Sequence, residues 1–150
     1  MIEILCRTES DTRAVAAKLA ATLRPGDIIL LTGGLGVGKT LFTSGLAAGL
    51  GVEEQVLSPS FVLVRQYRSG FLPLVHVDVY RLGSINEFED LETLDLAADG
   101  VLVIEWGDAL EGEIPEDYLR IDFVVQEDGA RLLRLLPGGS WRERDLGLVA

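Results

Sequence analysis

The chain is short of the residues that build disulfides and basic surfaces. Its 150 residues hold one cysteine (Cys6), one histidine (His76), one asparagine (Asn86) and two lysines (Lys18 and Lys39). A lone cysteine makes no internal disulfide, which fits a reducing compartment, and Cys6 in a strand-like segment reads as a small buried hydrophobe. No apolar stretch approaches the roughly 20 residues that cross a bilayer, so no membrane association is expected. The opening Met1–Cys6 has neither a basic region nor a cleavage pattern, and the expectation is a cytoplasmic protein. Positive charge is scarce too: 24 acidic against 13 basic residues leave a formal net charge of −11. That excludes a large nucleic-acid footprint made by this chain alone, because phosphate contacts need clustered Lys and Arg. Any nucleic acid would be gripped mainly by a partner protein; the local basic spot, Arg65, Arg68 and Arg81, reads as solvated surface charge.

What is present is ordinary for a globular domain: 48% hydrophobic and 25% charged residues in a length that suits one domain with a real core. Within it, residues 33–40 read Gly33-Gly34-Leu35-Gly36-Val37-Gly38-Lys39-Thr40. This is the phosphate-binding loop G-x-x-x-x-G-K-[ST]. The apolar run Ile28–Leu31 leads into it, and a helical stretch from about Lys39 to Leu50 leads out, with Gly51 placed to stop it. The glycines let backbone N–H groups curl around phosphate oxygens, and the helix N-terminus adds its dipole. Lys39 would reach the β- and γ-phosphates, and the Thr40 hydroxyl would hold Mg²⁺. A chain with eleven Arg and two Lys that places a Lys here is using a compact point charge.

The rest of the chain predicts an α/β fold: a P-loop NTPase-like, three-layer sheet with a parallel centre and antiparallel strands added. Residues 1–150 read as one domain, with the tail from about Gly138 free to fray. Ile2–Cys6 predicts a strand. Thr8 with Asp11 predicts a helix N-cap, followed by an apolar face of Ala14, Val15, Leu19 and Leu23. On the helix after the loop, Phe42, Leu46 and Leu50 share a face, and Gly45 and Gly49 predict close packing on a sheet. Phe61–Tyr67 and Leu74–Tyr80 predict adjacent antiparallel strands. Ser84 to Glu87 is a capping box, and the helix it opens runs on through Leu94. Val101–Ile104 predicts a central buried strand. Leu119–Val125 and Leu132–Leu136 flank Glu127-Asp128-Gly129, a hairpin turn.

A phosphate loop needs an acid at the end of a neighbouring strand to hold Mg²⁺, directly or through water. Val101–Ile104 ends in Glu105, and Leu74–Val77 ends in Asp78. Either carboxylate serves as metal ligand, leaving the other to orient the attacking water. Ser58-Pro59-Ser60-Phe61 lies where many phosphate-loop enzymes sense the γ-phosphate, and the Ser60 hydroxyl suits that role. His76 alternates with Val75 and Val77 and so faces away from them; it reads as a hydrogen-bonded structural residue rather than a metal ligand. Trp106, next to Glu105, stands either near a base or in a crevice. Guanine readers carry Asn-Lys-x-Asp; the only Asn here, Asn86, precedes Glu87, so ATP is expected over GTP.

The phosphate loop, Ser58-Pro59-Ser60-Phe61, the string His76-Val77-Asp78-Val79-Tyr80-Arg81-Leu82 and Ile104-Glu105-Trp106 together resemble the TsaE family, also called YjeE. These are small bacterial ATPases of tRNA threonylcarbamoyladenosine formation. The resemblance covers about Thr8 to Trp106 and continues more weakly to about Leu136. It implies an Mg²⁺-dependent ATPase that works with TsaB and TsaD and supports the TsaD catalytic cycle, with tRNA met through those partners. It implies phosphate contacts from Gly33 to Thr40, Mg²⁺ contacts from Thr40 and Glu105, Asp78 at the same centre, and a nucleotide contact around Glu9. Ser60 stands in the place of a family Thr, so the hydroxyl survives. Two positions depart: Gly34 replaces a usual Asp or Glu, and Glu92 stands where Gly is common. Slow turnover is expected without partners, because no clear arginine finger or lid is visible. The alternatives are a small-molecule kinase, for which the chain is short, and a non-hydrolysing ATP-dependent switch.

Overall fold

The structure is a computed structural model that describes residues 1–34, 36–56, 64–78, 93–105, 116–147 and 149. Its frame is a seven-stranded mixed sheet. In chain order the strands are β1 (Ile2–Cys6), β2 (Asp27–Thr32), β3 (Val64–Tyr67), β4 (Leu74–Asp78), β5 (Val101–Glu105), β6 (Leu119–Val125) and β7 (Arg131–Pro137). Their order across the sheet is β1-β7-β6-β2-β5-β4-β3. The centre is parallel: β2 runs with β5 on one side and β6 on the other, and β5 runs with β4. The margins are antiparallel, β3 on β4 at one edge and the β6–β7 hairpin with β1 at the other. This is the α/β fold with a parallel centre that the apolar runs predicted.

Residue chemistry explains the division. β2, β4 and β5 are buried at every position, as a strand covered on both faces requires. β6 alternates buried and half-buried residues from Leu119 on, the period of a strand with one face on the core. The larger core lies on one face, where Ile29, Leu31, Val103, Leu119 and Ile121 meet helices α1 (Glu9–Ala20) and α2 (Lys39–Gly49). A smaller core on the other face gathers Ile28, Leu30, Val75, Val77, Leu102 and Ile104 against Ala97, just after the short helix α3 (Thr93–Leu96).

The helix signals act as read, with two corrections. Thr8 and Asp11 form a reciprocal capping box at the start of α1. Its buried face is Thr12, Val15, Ala16, Leu19 and Ala20; Ala14 points outward, one step off the expected stripe. Gly51, at φ +80°, ends α2 with paired bonds from its own N–H to the Ala48 carbonyl and from Val52 to Ala47, a Schellman stop. Gly45 and Gly49 do allow close packing, but on α1 rather than on the sheet. A Cβ on Gly45 would stand 2.7 Å from the Arg13 carbonyl oxygen, and one on Gly49 2.6 Å from the Ala20 Cβ.

The segment after β7 is docked, against the expectation that it frays. A 3-10 turn at Gly139–Glu143 buries Trp141, and Leu146 and Val149 join the larger core. Arg144 stacks on the Trp141 ring at 3.8 Å and grips Asp27 at the start of β2 with two bonds of 2.6 and 3.0 Å. An aromatic and a bidentate ion pair shielded from water outweigh the loss of tail entropy. The expected extensions Phe61–Leu63, Val79–Tyr80 and the capping box at Ser84 lie outside the described residues.

Candidate functional site

The loop after β2 takes the backbone shape its glycines permit. Gly33, Gly36 and Gly38 have φ of +137°, +74° and +111°. Gly33 is also pressed from behind, since a Cβ there would meet the Phe123 carbonyl oxygen at 3.0 Å. Gly34 needs neither concession. Its φ is not positive, and an added Cβ would sit 3.7 Å from Val37, an ordinary contact, so the backbone here does not require glycine. Gly38 caps α2 without a side chain, which leaves the first N–H groups of that helix directed at the loop.

Lys39 opens α2 and is buried. Its ammonium folds back across the loop and donates to the carbonyls of Gly33 and Gly34, both at 2.8 Å. One residue on, the Thr40 hydroxyl donates to Glu105 Oε1 at 3.1 Å and Oε2 at 3.3 Å. Glu105 ends β5, and its register partner on β4 is Asp78. Both carboxylates are 5% exposed and stand side by side at the same end of the parallel centre. His76, two residues before Asp78 and on the same face of β4, places its Nε2 2.8 Å from Glu105 Oε2. Residues 65 apart in the chain are thus joined in one line that runs from half-buried Thr40 through buried Glu105 to buried His76.

Glu9 sits elsewhere, on the first turn of α1, exposed and 3.8 Å from Arg13. It lines a cavity of about 240 Å³ together with Arg7, Thr8, Thr12, Gly36–Gly38, Leu41 and Arg131. Sequence spacing does not connect these segments; the strand order does, because β1 and β7 bring α1 and the hairpin to the flank of the loop. Cys6 lies at the back of this cavity. Burial pushes its thiol pKa up, the Thr12 hydroxyl pulls it partly down, and the Asp11 carboxylate adds to the rise.

The candidate residues Leu35, Ser60 and Trp106 lie outside the described residues. Among the others, the structure gathers Gly33, Gly34, Gly36–Thr40, Asp78 and Glu105 at one centre and puts Glu9 on the adjoining cavity.

Three contacts escaped sequence reasoning. The first is His76 to Glu105. Its signal was available: His76 and Asp78 share a face by strand alternation, so a histidine on the acid's face was a neighbour of the site. The second is Arg131, whose Nε donates to the Val37 carbonyl at 3.0 Å and ties the β6–β7 hairpin to the loop. The third is the Thr32 hydroxyl donating to Asp122, which Arg120 also holds at 2.6 Å. Both depend on a strand pairing with no local signature.

Comparison with known proteins follows the same outline. A family model described as "Threonylcarbamoyl adenosine biosynthesis protein TsaE" matches residues 6–133. The tRNA threonylcarbamoyladenosine biosynthesis protein TsaE of Streptomyces coelicolor is 47% identical over 146 residues, covering 92% of this chain and 99% of its own. The protein of the same name from Bacillus subtilis is 43% identical over 120 residues, 79% of this chain and 73% of its own. The crystal structure of Bacillus subtilis YdiB superposes with a TM-score of 0.79 at 32% identity, covering 95% of this chain and 89% of that one.

Proposed function

The chain belongs to the TsaE family of threonylcarbamoyl adenosine biosynthesis proteins, and on that premise we propose that it is an Mg²⁺-dependent ATPase serving this tRNA modification in the cytoplasm. The observation that carries the ATPase reading is the contact between the Thr40 hydroxyl, at the end of the phosphate loop, and the Glu105 carboxylate, at the end of the neighbouring strand.

The donors suit Mg²⁺. It is a hard cation that takes oxygen ligands, and it is held by one or two carboxylates plus phosphates rather than by an all-protein cage. The described residues fit that habit: the Thr40 hydroxyl touches the Glu105 carboxylate beside the loop, and Asp78 is the register partner of Glu105 on the neighbouring strand. Glu105, in contact with Thr40, is the carboxylate assigned to the metal, and Asp78 the one that orients the attacking water. Bound with the nucleotide, Mg²⁺ neutralises the charge that develops on the phosphoryl oxygens. Lys39 exchanges the Gly33 and Gly34 carbonyls for phosphate oxygens, and the loop N–H groups donate to the same oxygens. The buried setting strengthens each of these interactions.

The cavity beside Glu9 is the place for the base end of the nucleotide, at a volume suited to a base rather than to a whole nucleotide. No guanine-reading Asn-Lys-x-Asp is present, which favours ATP. With a net charge of −11 the chain meets tRNA through partners of the TsaB and TsaD type and supports their cycle. The test is phosphate release from ATP with TsaB- and TsaD-type proteins added singly and together. Stimulation by the pair is expected. Transfer of phosphate to a metabolite or nucleoside instead of water would replace this reading with a kinase.

A further inference from the structure

His76 is fully buried between Val75 and Val77, and it is the one histidine of the chain. Its ring reaches a single residue through Nε2, the Glu105 carboxylate. Among the described residues its Nδ1 has no hydrogen-bond partner. With the carboxylate as acceptor, Nε2 is the donor of this bond.

The chemistry of the alternatives explains why a histidine stands here. An aliphatic residue would leave Oε2 of a buried carboxylate with only the longer 3.3 Å contact from Thr40, at a desolvation cost. A lysine or arginine would supply the donor but also a fixed positive charge, which would cancel the charge that a dication needs. An imidazole N–H fixes the carboxylate in place without the permanent charge that a lysine or arginine would bring. Thr40 contacts both oxygens and His76 contacts Oε2, so that between them they define the orientation of the carboxylate.

We propose that His76 is a positioning residue for the metal-binding carboxylate: it holds Glu105 Oε2 so that the carboxylate is set for a divalent cation before the cation arrives. The proposal rests on the reading of Glu105 as the Mg²⁺ ligand. Groups that hydrogen-bond a metal ligand from behind cost about 10–100-fold in metal affinity when lost.

The test compares His76→Gln with His76→Asn in the full chain. The Gln amide reaches about as far as Nε2, and the shorter Asn amide falls short of Oε2. Mn²⁺ binding in the presence of a non-hydrolysable ATP analogue is read by electron paramagnetic resonance, and analogue binding is measured separately in a chelator. The expected result is a loss of Mn²⁺ affinity of about 10–100-fold for His76→Asn, recovery of most of it by His76→Gln, and unchanged metal-free analogue binding in both. Wild-type Mn²⁺ affinity in His76→Asn would overturn the proposal. So would equal losses in both variants accompanied by weaker metal-free binding, the mark of a general packing role. Glu105→Gln separates the two layers: if it leaves Mn²⁺ affinity intact, the metal assignment itself fails, whatever His76 does.

Discussion

The parallel centre and the antiparallel margin of this sheet meet at the phosphate loop and treat polar residues in opposite ways. In the centre, β2, β4 and β5 are closed to water along their whole length, and Thr32, Asp78 and Glu105 stand at the ends that face the loop, with His76 just below. At the margin, β6 and β7 expose one face and let their polar groups pair on it. The centre brings two buried carboxylates and the Thr32 hydroxyl to the rim beside the loop, and holds one more buried acid, Asp27, at the far end of β2. The margin contributes three holds on the loop: Asp122 on Thr32, the Phe123 backbone behind Gly33, and Arg131 on the Val37 carbonyl. Two parts of one sheet thus divide the work, one supplying the carboxylates proposed for the site and the other fixing the backbone of the loop.

The largest expected effect falls on the fastening between the two. Arg144, on the tail that follows the margin, grips Asp27 at the far end of β2, and both are more than nine-tenths buried. Arg144→Ala leaves an uncompensated buried carboxylate and should cost about 3–5 kcal/mol of stability in denaturant unfolding. Nucleotide affinity of the folded protein should stay as it was, since the pair lies at the opposite end of the strand from the loop. Next comes the centre's own charge. Lys39→Ala should slow ATP turnover by about 100–1,000-fold with little change in the unfolding midpoint.

The margin is tested by Arg131→Gln. Losing a charged hydrogen bond to the loop should weaken nucleotide binding by about tenfold, with turnover at saturating ATP nearly unchanged. A fall in saturated turnover with normal affinity would move Arg131 into the chemistry and break the division. The smallest effect concerns Cys6. Its pKa is raised in the folded state, so the neutral thiol is favoured, and the associated stability is present below the unfolded thiol pKa and lost as pH rises through the folded one. Alkylation by iodoacetamide at pH 8 should be slower in the native protein than in the guanidinium-unfolded chain. Equal rates would show a solvated thiol instead.

The centre was far more legible in the sequence than the margin. A phosphate loop has a local signature, and a run such as Val101–Ile104 followed by Glu105 declares both a buried strand and the acid at its end. The Thr8 capping box and the Gly51 stop are local as well, set within one turn of chain. The packing partner of Gly45 and Gly49 was not local: close approach was visible, but a sheet and a helix ask the same of a small residue. Ala14 missed the buried stripe because alanine fits either side of a helix. The tail looked uncommitted from Gly138 on, whereas Arg144, which docks it, finds its partner Asp27 over a hundred positions away. His76 lay between these cases. Alternation gave its direction, but the neighbour that gives it meaning belongs to another strand.

If Glu105 and the phosphate loop form a metal-dependent ATP-hydrolysing centre, phosphate release from ATP must separate wild type from Glu105→Gln, with ATP binding followed in parallel. Release should stop when Mg²⁺ is chelated and fall by at least about 100-fold in Glu105→Gln, while metal-free ATP binding persists in the variant. Undiminished release by Glu105→Gln would contradict that assignment.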